Sequence, residues 1–372
     1  MNEIGGDFCL ADLPYWVEPE RTYSHLTVNW QSGTRLSAYS SGRAAYYAIL
    51  SHVISEAGRA VKVLLPSYLC STMLGPVASI GLQAGFYRVH PDLSIDTNDL
   101  KRLIRTGPSV VVICDYFGFH VPRLLLDDPD LPLTDGHLVL YDATHSALDP
   151  EPWETAVWKP DVCVVSLRKM LPVVDGAFAI WMSRRSVSGP ESPTTLSESV
   201  SLRSVAMLLK ASYLLHGQGD KKVYLSMYHQ SESLVDEEYQ QTRGMSALSR
   251  SMLEHVDLIK ARTSRRENYR RLLEMLGNLE SVRPLFPVLP DDVYPLGFPV
   301  VADRRDELRT HLAQNNIYCP IHWILPDDIP ADEFPESHGL SQRILTIPCD
   351  QRYTASDMTK VGKAVARFVE PR

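Results

Sequence analysis

No apolar run in this sequence approaches the roughly 20 residues that a helix needs to cross a bilayer, and charged or polar residues or prolines interrupt each one early. The opening residues, Met1-Asn2-Glu3-Ile4-Gly5-Gly6-Asp7, hold neither a basic region nor an apolar core, so no secretory leader is expected. Cysteine is sparse: Cys9, Cys70, Cys114, Cys163, Cys319 and Cys349 stand singly, with no C-x-x-C pair. That usage fits reduced, mostly buried thiols in a cytoplasmic protein better than a disulfide framework or a zinc site. Basic residues are not in excess either. Lys and Arg number 37 against 45 Asp and Glu, a formal charge of -8, which gives no electrostatic footprint for nucleic acid. The glycine patterns G-x-G-x-x-G and G-x-x-x-x-G-K-S/T are absent, so nicotinamide and nucleotide-hydrolase readings lose their simplest support. The acidic pairs Asp127-Asp128 and Asp327-Asp328 lack nearby histidines and read as solvated turns, not metal ligands.

What the chain does have is length and short β-rich runs. At 372 residues, 44% of them apolar, it can fill two cores, and two domains are the default above the size at which one core stops growing. Runs at 61–66, 85–89, 110–114, 138–141, 162–165 and 177–181 are short, mostly apolar and followed by polar residues or turns. They alternate with helix-like stretches at 42–50, around 72–80 and 97–103. This is the pattern of an α/β fold with buried strands in a mostly parallel sheet. In such sheets ligands sit beyond the carboxyl ends of the strands. Asp142 and Lys169 each fall just past such an end. A lysine can form a Schiff base with an aldehyde and later move protons, and an aspartate beside a protonated pyridine nitrogen keeps that ring an electron sink. Each residue alone has a plainer reading, a solvated lysine and a helix-capping aspartate. Together they suit a pyridoxal phosphate site.

The order Tyr141-Asp142-Ala143-Thr144-His145, strand, Ser166-Leu167-Arg168-Lys169, Asp175-Gly176-Ala177 resembles the DegT/DnrJ sugar aminotransferases, a family of fold-type I pyridoxal-phosphate enzymes. The resemblance runs from about Gly5 to Phe368. It implies a large, mostly parallel-sheet domain with a smaller C-terminal α+β domain. The divisions expected are an N-terminal arm at 1–35, a cofactor domain with its connecting helix at 36–266, and a small domain at 267–372. By the same resemblance Asp142 contacts the pyridine nitrogen, His145 lies near the ring, Ser166 holds phosphate and Lys169 carries the cofactor. Ser41, Gly42 and Arg43 match a phosphate-gripping turn, Arg43 standing where the family usually has threonine. Tyr68, in Pro66-Ser67-Tyr68, is the candidate ring platform. Two departures stand out: His145 replaces the usual glutamine, and the serine-to-lysine spacing is two residues shorter than is common. Read without the family, 40–50 is equally an ordinary capped helix, and Tyr68 a packed core ring.

Further along, Thr242-Arg243-Gly244-Met245-Ser246 resembles the segment preceding the family's long inter-domain helix, which implies that Arg243 reaches the active site of a neighbouring subunit in a homodimer. Met252, Leu253, Val256, Ile259 and Ala261 suit one apolar helix face, and Arg262, Arg265, Arg266 and Arg271 its solvated face. Strands are expected at 285–289, 297–301 and 344–347, with helices at 304–314 and 355–368. His322 and Trp323 follow Tyr318-Cys319-Pro320-Ile321 and are candidate substrate contacts; a hydrogen-bonded buried histidine is the plain alternative. Residues 121–135 and 183–195 read as loops, 202–215 as a helix, and 220–241 as helical or mobile surface without a role. The activity implied is transamination from an amino acid, such as glutamate, to a keto acceptor such as a nucleotide-linked keto sugar. Elimination, dehydration or carbon-carbon bond chemistry on the same cofactor, a non-catalytic relative, and a plain nucleotide-binding protein remain alternatives, since fold does not fix reaction.

Overall fold

Seven short strands join into one sheet in the computed structural model, which describes residues 3–13, 35–57, 61–120, 131, 136–149, 160–182 and 196–369. They are β2 (Arg35–Tyr39), β3 (Lys62–Pro66), β4 (Gln83–Tyr87), β5 (Ser109–Cys114), β6 (Leu138–Asp142), β7 (Val162–Ser166) and β8 (Ala177–Trp181). Their spatial order is β2-β8-β7-β6-β5-β3-β4, with only β8 running against the others. All residues of β5, β7 and β8 are buried, which explains why the strands read as unbroken apolar runs instead of alternating ones. Burying each such valine or isoleucine is worth about 1.5–3 kcal/mol. Register carries chemistry to one rim: Cys114 pairs with Asp142, Asp142 with Val164, and Ser166 with Ala177. The carboxyl ends of β2, β3, β5, β6 and β7 therefore open on the same side.

Helices α1 (Gly42–Ala57), α2 (Leu74–Ser79) and α3 (Thr97–Ile104) connect the strands. Asp96 caps α3 by accepting the Asp99 amide at 3.0 Å, as its position before an apolar helix face suggests. After β8 come α4 (Glu198–His216), α5 (Lys221–Glu238), α6 (Ala247–Leu253) and α7 (Leu258–Leu276). α4 and α5 pack as a hairpin, the turn made by Gly217 at φ 67°. The smaller unit holds β9 (Val282–Pro284), β10 (Phe298–Ala302) and β12 (Ile344–Ile347) in an antiparallel sheet. Around it lie α8 (Arg305–Gln314), α9 (Pro335–Arg343) and α10 (Ala355–Val369), the last packed along α7. A domain division at 266/267 falls inside α7.

Three expectations are corrected. The strand expected at 285–289 forms earlier, at β9; Pro287 lacks the amide that a ladder would need. The connecting helix is two helices, broken at 254–257, where Asp257 caps α7 through the Lys260 amide at 2.8 Å, and Ile259 points outward at 71% exposure. Arg265 and Arg266 are buried, not solvated. Arg265 donates to Gln351 and to the carbonyls of Pro295, Leu296 and Met170, so one guanidinium ties the two units together.

The described part of the N-terminal arm also bridges units. β1 (Ile4–Gly5) pairs in parallel with β11 (Ile317–Tyr318), and the Gly5 amide donates to the Tyr353 hydroxyl at 2.6 Å. Gly5 sits at φ 107°, and a Cβ there would strike the Tyr318 carbonyl oxygen. Asp7 O accepts from Lys210 and Arg352, while Tyr228 donates to Phe8 O at 2.7 Å, fastening the arm to the α4–α5 hairpin. Pro14, Trp16, Pro19, Tyr23 and Trp30 of the arm lie outside the described residues, as do 121–130, 132–135 and 183–195. All six cysteines are free thiols, five buried and Cys70 half-buried.

Candidate active site

The shared rim surrounds a cleft of about 830 Å³, bounded by Ser41, Gly42, Arg43, Tyr46, Cys70, Asp142, Thr144, His145, Ser166, Arg168, Lys169, Glu232, His322 and Trp323 among others. Nine of the sequence-proposed residues meet here: Asp142, Lys169, Ser41, Gly42, Arg43, His145, Ser166, His322 and Trp323. Two do not. Tyr68 lies fully buried behind the wall, where its hydroxyl donates to the His322 carbonyl and accepts the Trp323 amide at 3.1 Å. The cleft face of its turn is Leu69, Cys70 and Thr72. Tyr68 therefore supports Trp323 rather than offering its own face to a ligand. Arg243 is held outside the cleft, 3.9 Å from Glu238, while its carbonyl accepts the Ser40 amide at 2.8 Å.

One end of the cleft arises where β2 turns into α1. Ser41 caps the helix by accepting the Ala44 amide at 3.1 Å, which leaves earlier amides directed out of the helix. Gly42 allows close approach: a Cβ there would lie 3.4 Å from Cβ of Ser166, the last residue of β7. Arg43 and Arg168 flank this point. At the other end, Asp142 closes β6. Its Oδ2 accepts the Tyr46 hydroxyl at 2.9 Å and its Oδ1 the Thr144 amide at 2.8 Å. Burial pushes its carboxyl above the usual range, while those hydrogen bonds, both from neutral donors, pull the other way. A partly buried carboxylate so placed is best satisfied by a cation arriving from the cleft.

His145 follows in a single helical turn, Thr144–Ser146. Its Nδ1 accepts the Phe117 amide at 3.1 Å, and its ring stacks on Trp323 with centroids 5.2 Å apart and 21° between planes. Burial above all, with Lys169 and the neighbouring His322 ring disfavouring a further positive charge, holds it well below its ordinary pKa, so it is neutral. His322 is likewise held down, to about 3, by burial and then by Lys169; its Nδ1 lies 2.9 Å from Thr346 Oγ1. Lys169 ends the Leu167–Lys169 turn, exposed between this cleft and a second hollow beside the N-terminal arm. Its amine makes no ion pair among the described residues.

Several site residues escaped the sequence reading. Tyr46 lies one helical turn beyond Gly42, a spacing that could have flagged it. Asp115, fully buried, accepts the Tyr141 hydroxyl and, at 2.5 Å, the Ser146 hydroxyl, so it braces the turn carrying His145. Glu232 and Arg203 come from the hairpin to which no role could be given.

Asp175 and Gly176 shape the rim from behind. Asp175 accepts from the Ser246 hydroxyl at 2.6 Å and the Ser246 amide at 3.0 Å, and Gly176, at φ 118°, meets Met245. The 243–246 segment is thus clasped to the strand that follows the lysine turn.

No protein-family model matches this chain, and no curated protein matches it in sequence. Solved structures do match in shape. A DegT DnrJ EryC1 StrS aminotransferase from Brucella abortus superposes with a TM-score of 0.62 at 17% identity, covering 96% of this chain and 92% of that one. The putative sugar aminotransferase Spr1654 from Streptococcus pneumoniae, in its PLP form, gives 0.65 at 12% identity over 96% and 93%. GDP-4-keto-6-deoxymannose-3-dehydratase, solved with GDP-perosamine, gives 0.64 at 13% identity over 93% and 91%. The fold is that of the DegT/DnrJ-type, fold-type I pyridoxal-phosphate enzymes. Among the described residues no helix is long and apolar enough to cross a membrane, and no cluster of three metal-binding side chains occurs.

Proposed function

We propose that this chain is a pyridoxal-phosphate-dependent aminotransferase that moves an amino group from an amino acid, glutamate in the first instance, to a keto acceptor such as a nucleotide-linked keto sugar. The observation that carries this reading is the convergence, at one rim of that fold, of a partly buried carboxylate, a serine-capped helix start and an exposed lysine. The residues fit the cofactor at both ends. Ser41, Gly42 and Ser166 would hold its phosphate, and Asp142 its ring nitrogen, which would give that carboxylate a positive partner that it lacks among the described residues.

When bound, the cofactor would supply an aldehyde for Lys169 and an electron sink for the substrate carbanion. The chain does the rest. Asp142, oriented by Tyr46 and Thr144, keeps a proton on the ring nitrogen. Neutral His145, fixed by Phe117 and stacked on Trp323, forms a flat wall for the ring without adding charge. The free Lys169 amine would carry a proton to and from the substrate carbon. Tyr68 holds Trp323, and so that wall, through its hydroxyl.

A homodimer belongs to the same reading. The hairpin turns Val205, Leu208, Leu215, Val223 and Leu225 outward, 42–61% exposed, which suits cover by a second copy, with Arg243 then reaching its neighbour's cleft. Glutamate added to the cofactor-loaded protein should yield 2-oxoglutarate and the pyridoxamine form in equal amounts. If no amino acid does this while the lysine-bound spectrum is intact, transamination is wrong. Dehydration is then the second reading, favoured by two neutral histidines beside the amine, by the short Ser166-to-Lys169 spacing, and by likeness to a dehydratase.

A further inference from the structure

Three guanidiniums from three separate elements converge on one carboxylate. Arg43 in the first turn of α1 reaches Glu232 at 2.5 Å, Arg168 in the lysine turn at 3.0 and 3.3 Å, and Arg203 on α4 at 2.8 Å. Arg43, Arg168 and Glu232 all border the cleft, beside Ser41, Gly42 and Ser166. Three like charges gather only around an anion, and here the chain supplies its own. We propose that Arg43, Arg168 and Arg203 form an anion seat in which the Glu232 carboxylate is the resident occupant, and that the phosphate end of an incoming cofactor takes the seat by displacing Glu232. The proposal rests on the pyridoxal-phosphate reading of the cleft for the identity of the newcomer, though not for the seat itself.

Charge counting supports displacement over sharing. Asp236 takes the other Arg43 nitrogen at 2.7 Å, and Asp7 faces Arg203 at 3.4 Å. Lys169 apart, three cations then stand against Glu232, Asp236 and Asp7, and a dianion arriving with Glu232 in place meets no net positive charge from the seat. Both Arg168 terminal nitrogens are already directed to Glu232, so its fork cannot grip a phosphate as well. The way out is open. Tyr224, Tyr228 and Ser231 bury α5 against its neighbours, whereas the Glu232 side chain is 34% exposed. A change of side-chain rotamer, with the helix staying still, would carry the carboxylate to water. Its pKa, held far below the usual range by Arg168 above all, fits a carboxylate that is charged whenever the seat is closed.

The test compares cofactor-free parent, Glu232→Gln, and the double variant Glu232→Gln with Arg203→Gln. The double variant removes one cation with the anion and covers a folding failure of the single one. Three probes are titrated: pyridoxal phosphate, pyridoxal without its phosphate, and inorganic phosphate at constant ionic strength. Losing Glu232 should tighten pyridoxal phosphate at least about tenfold, a modest demand for one unit charge removed a few ångströms from a dianion. Pyridoxal should bind parent and variants equally. Inorganic phosphate should raise the melting temperature of the variants and not of the parent. Equal or weaker pyridoxal-phosphate binding in the variants, with no phosphate-dependent melting shift, overturns the seat; weaker binding alone would make Glu232 a brace for the arginines and overturns displacement too. If phosphate stabilises only the variants while pyridoxal phosphate binds nothing, the seat stands and the cofactor reading falls.

Discussion

Replacing Asp142 with asparagine should move two measured properties in opposite directions. In the cofactor-free protein the carboxylate sits partly buried with only neutral donors, Tyr46 and Thr144, and burial raises its pKa. A carboxyl group with a raised folded-state pKa contributes its stability below the unfolded value of 3.8 and loses it as pH climbs through the folded value. At neutral pH it is therefore a cost, about 1.4 kcal/mol for each pH unit by which the folded value exceeds the unfolded one. Asparagine keeps an acceptor for one donor and removes the charge. Thermal melting of the cofactor-free variant near neutral pH should match the parent or exceed it, each 1 kcal/mol of relief being worth about 2 °C in a chain of this size. Cofactor binding should go the other way. A hydrogen bond to a charged group is worth about 1.5–3 kcal/mol, so pyridoxal phosphate affinity should fall about ten- to hundredfold. Equilibrium titration and melting on the same samples give both numbers. A cofactor-free variant that melts well below the parent and binds pyridoxal phosphate just as tightly would refute the assignment of Asp142 to the ring nitrogen.

His322 is held neutral at about 3 against an ordinary 6.5, so the unfolded chain takes up a proton below pH 6.5 that the folded chain refuses. Stability should therefore drop as pH falls from 6.5 toward 3, by about 1.4 kcal/mol per pH unit from this group. His322→Gln should flatten the melting profile between about pH 7 and pH 5; an unchanged slope contradicts the buried-neutral description. Arg265→Met strips donors from the Met170, Pro295 and Leu296 carbonyls and from Gln351, and should cost about 3 kcal/mol or more in denaturant unfolding; a loss under about 1 kcal/mol would mean water replaces the guanidinium. Gly176→Ala forces a Cβ to 2.8 Å from Met245 at φ 118°, and should destabilise by about 1–3 kcal/mol. Pairing it with Met245→Ala should recover only the contact part, leaving the backbone part measurable.

The sheet and the two ends of the site could be read from the chain because their signals are local. Unbroken apolar runs mark buried strands, and Asp142 and Lys169 follow directly on strand ends. Ser41 and Gly42 were legible as a helix start for the same reason. What escaped depends on distant partners. Arg265 and Arg266 look like a solvated helix face until the carbonyls of 290–296 fold over them. Tyr68 looks like a platform until a segment 255 residues away takes its hydroxyl. Glu232 sits in an acidic, polar helix with nothing in its neighbourhood to single it out. Only the closing of α5 over the lysine turn brings it to Arg43 and Arg168.

The most direct test is to locate the lysine. Protein loaded with pyridoxal phosphate is reduced with borohydride, digested and mapped by mass. A pyridoxyl-phosphate adduct on the peptide carrying Lys169, absent from Lys169→Ala, is the result this account predicts; an adduct on another lysine, or none, would contradict it.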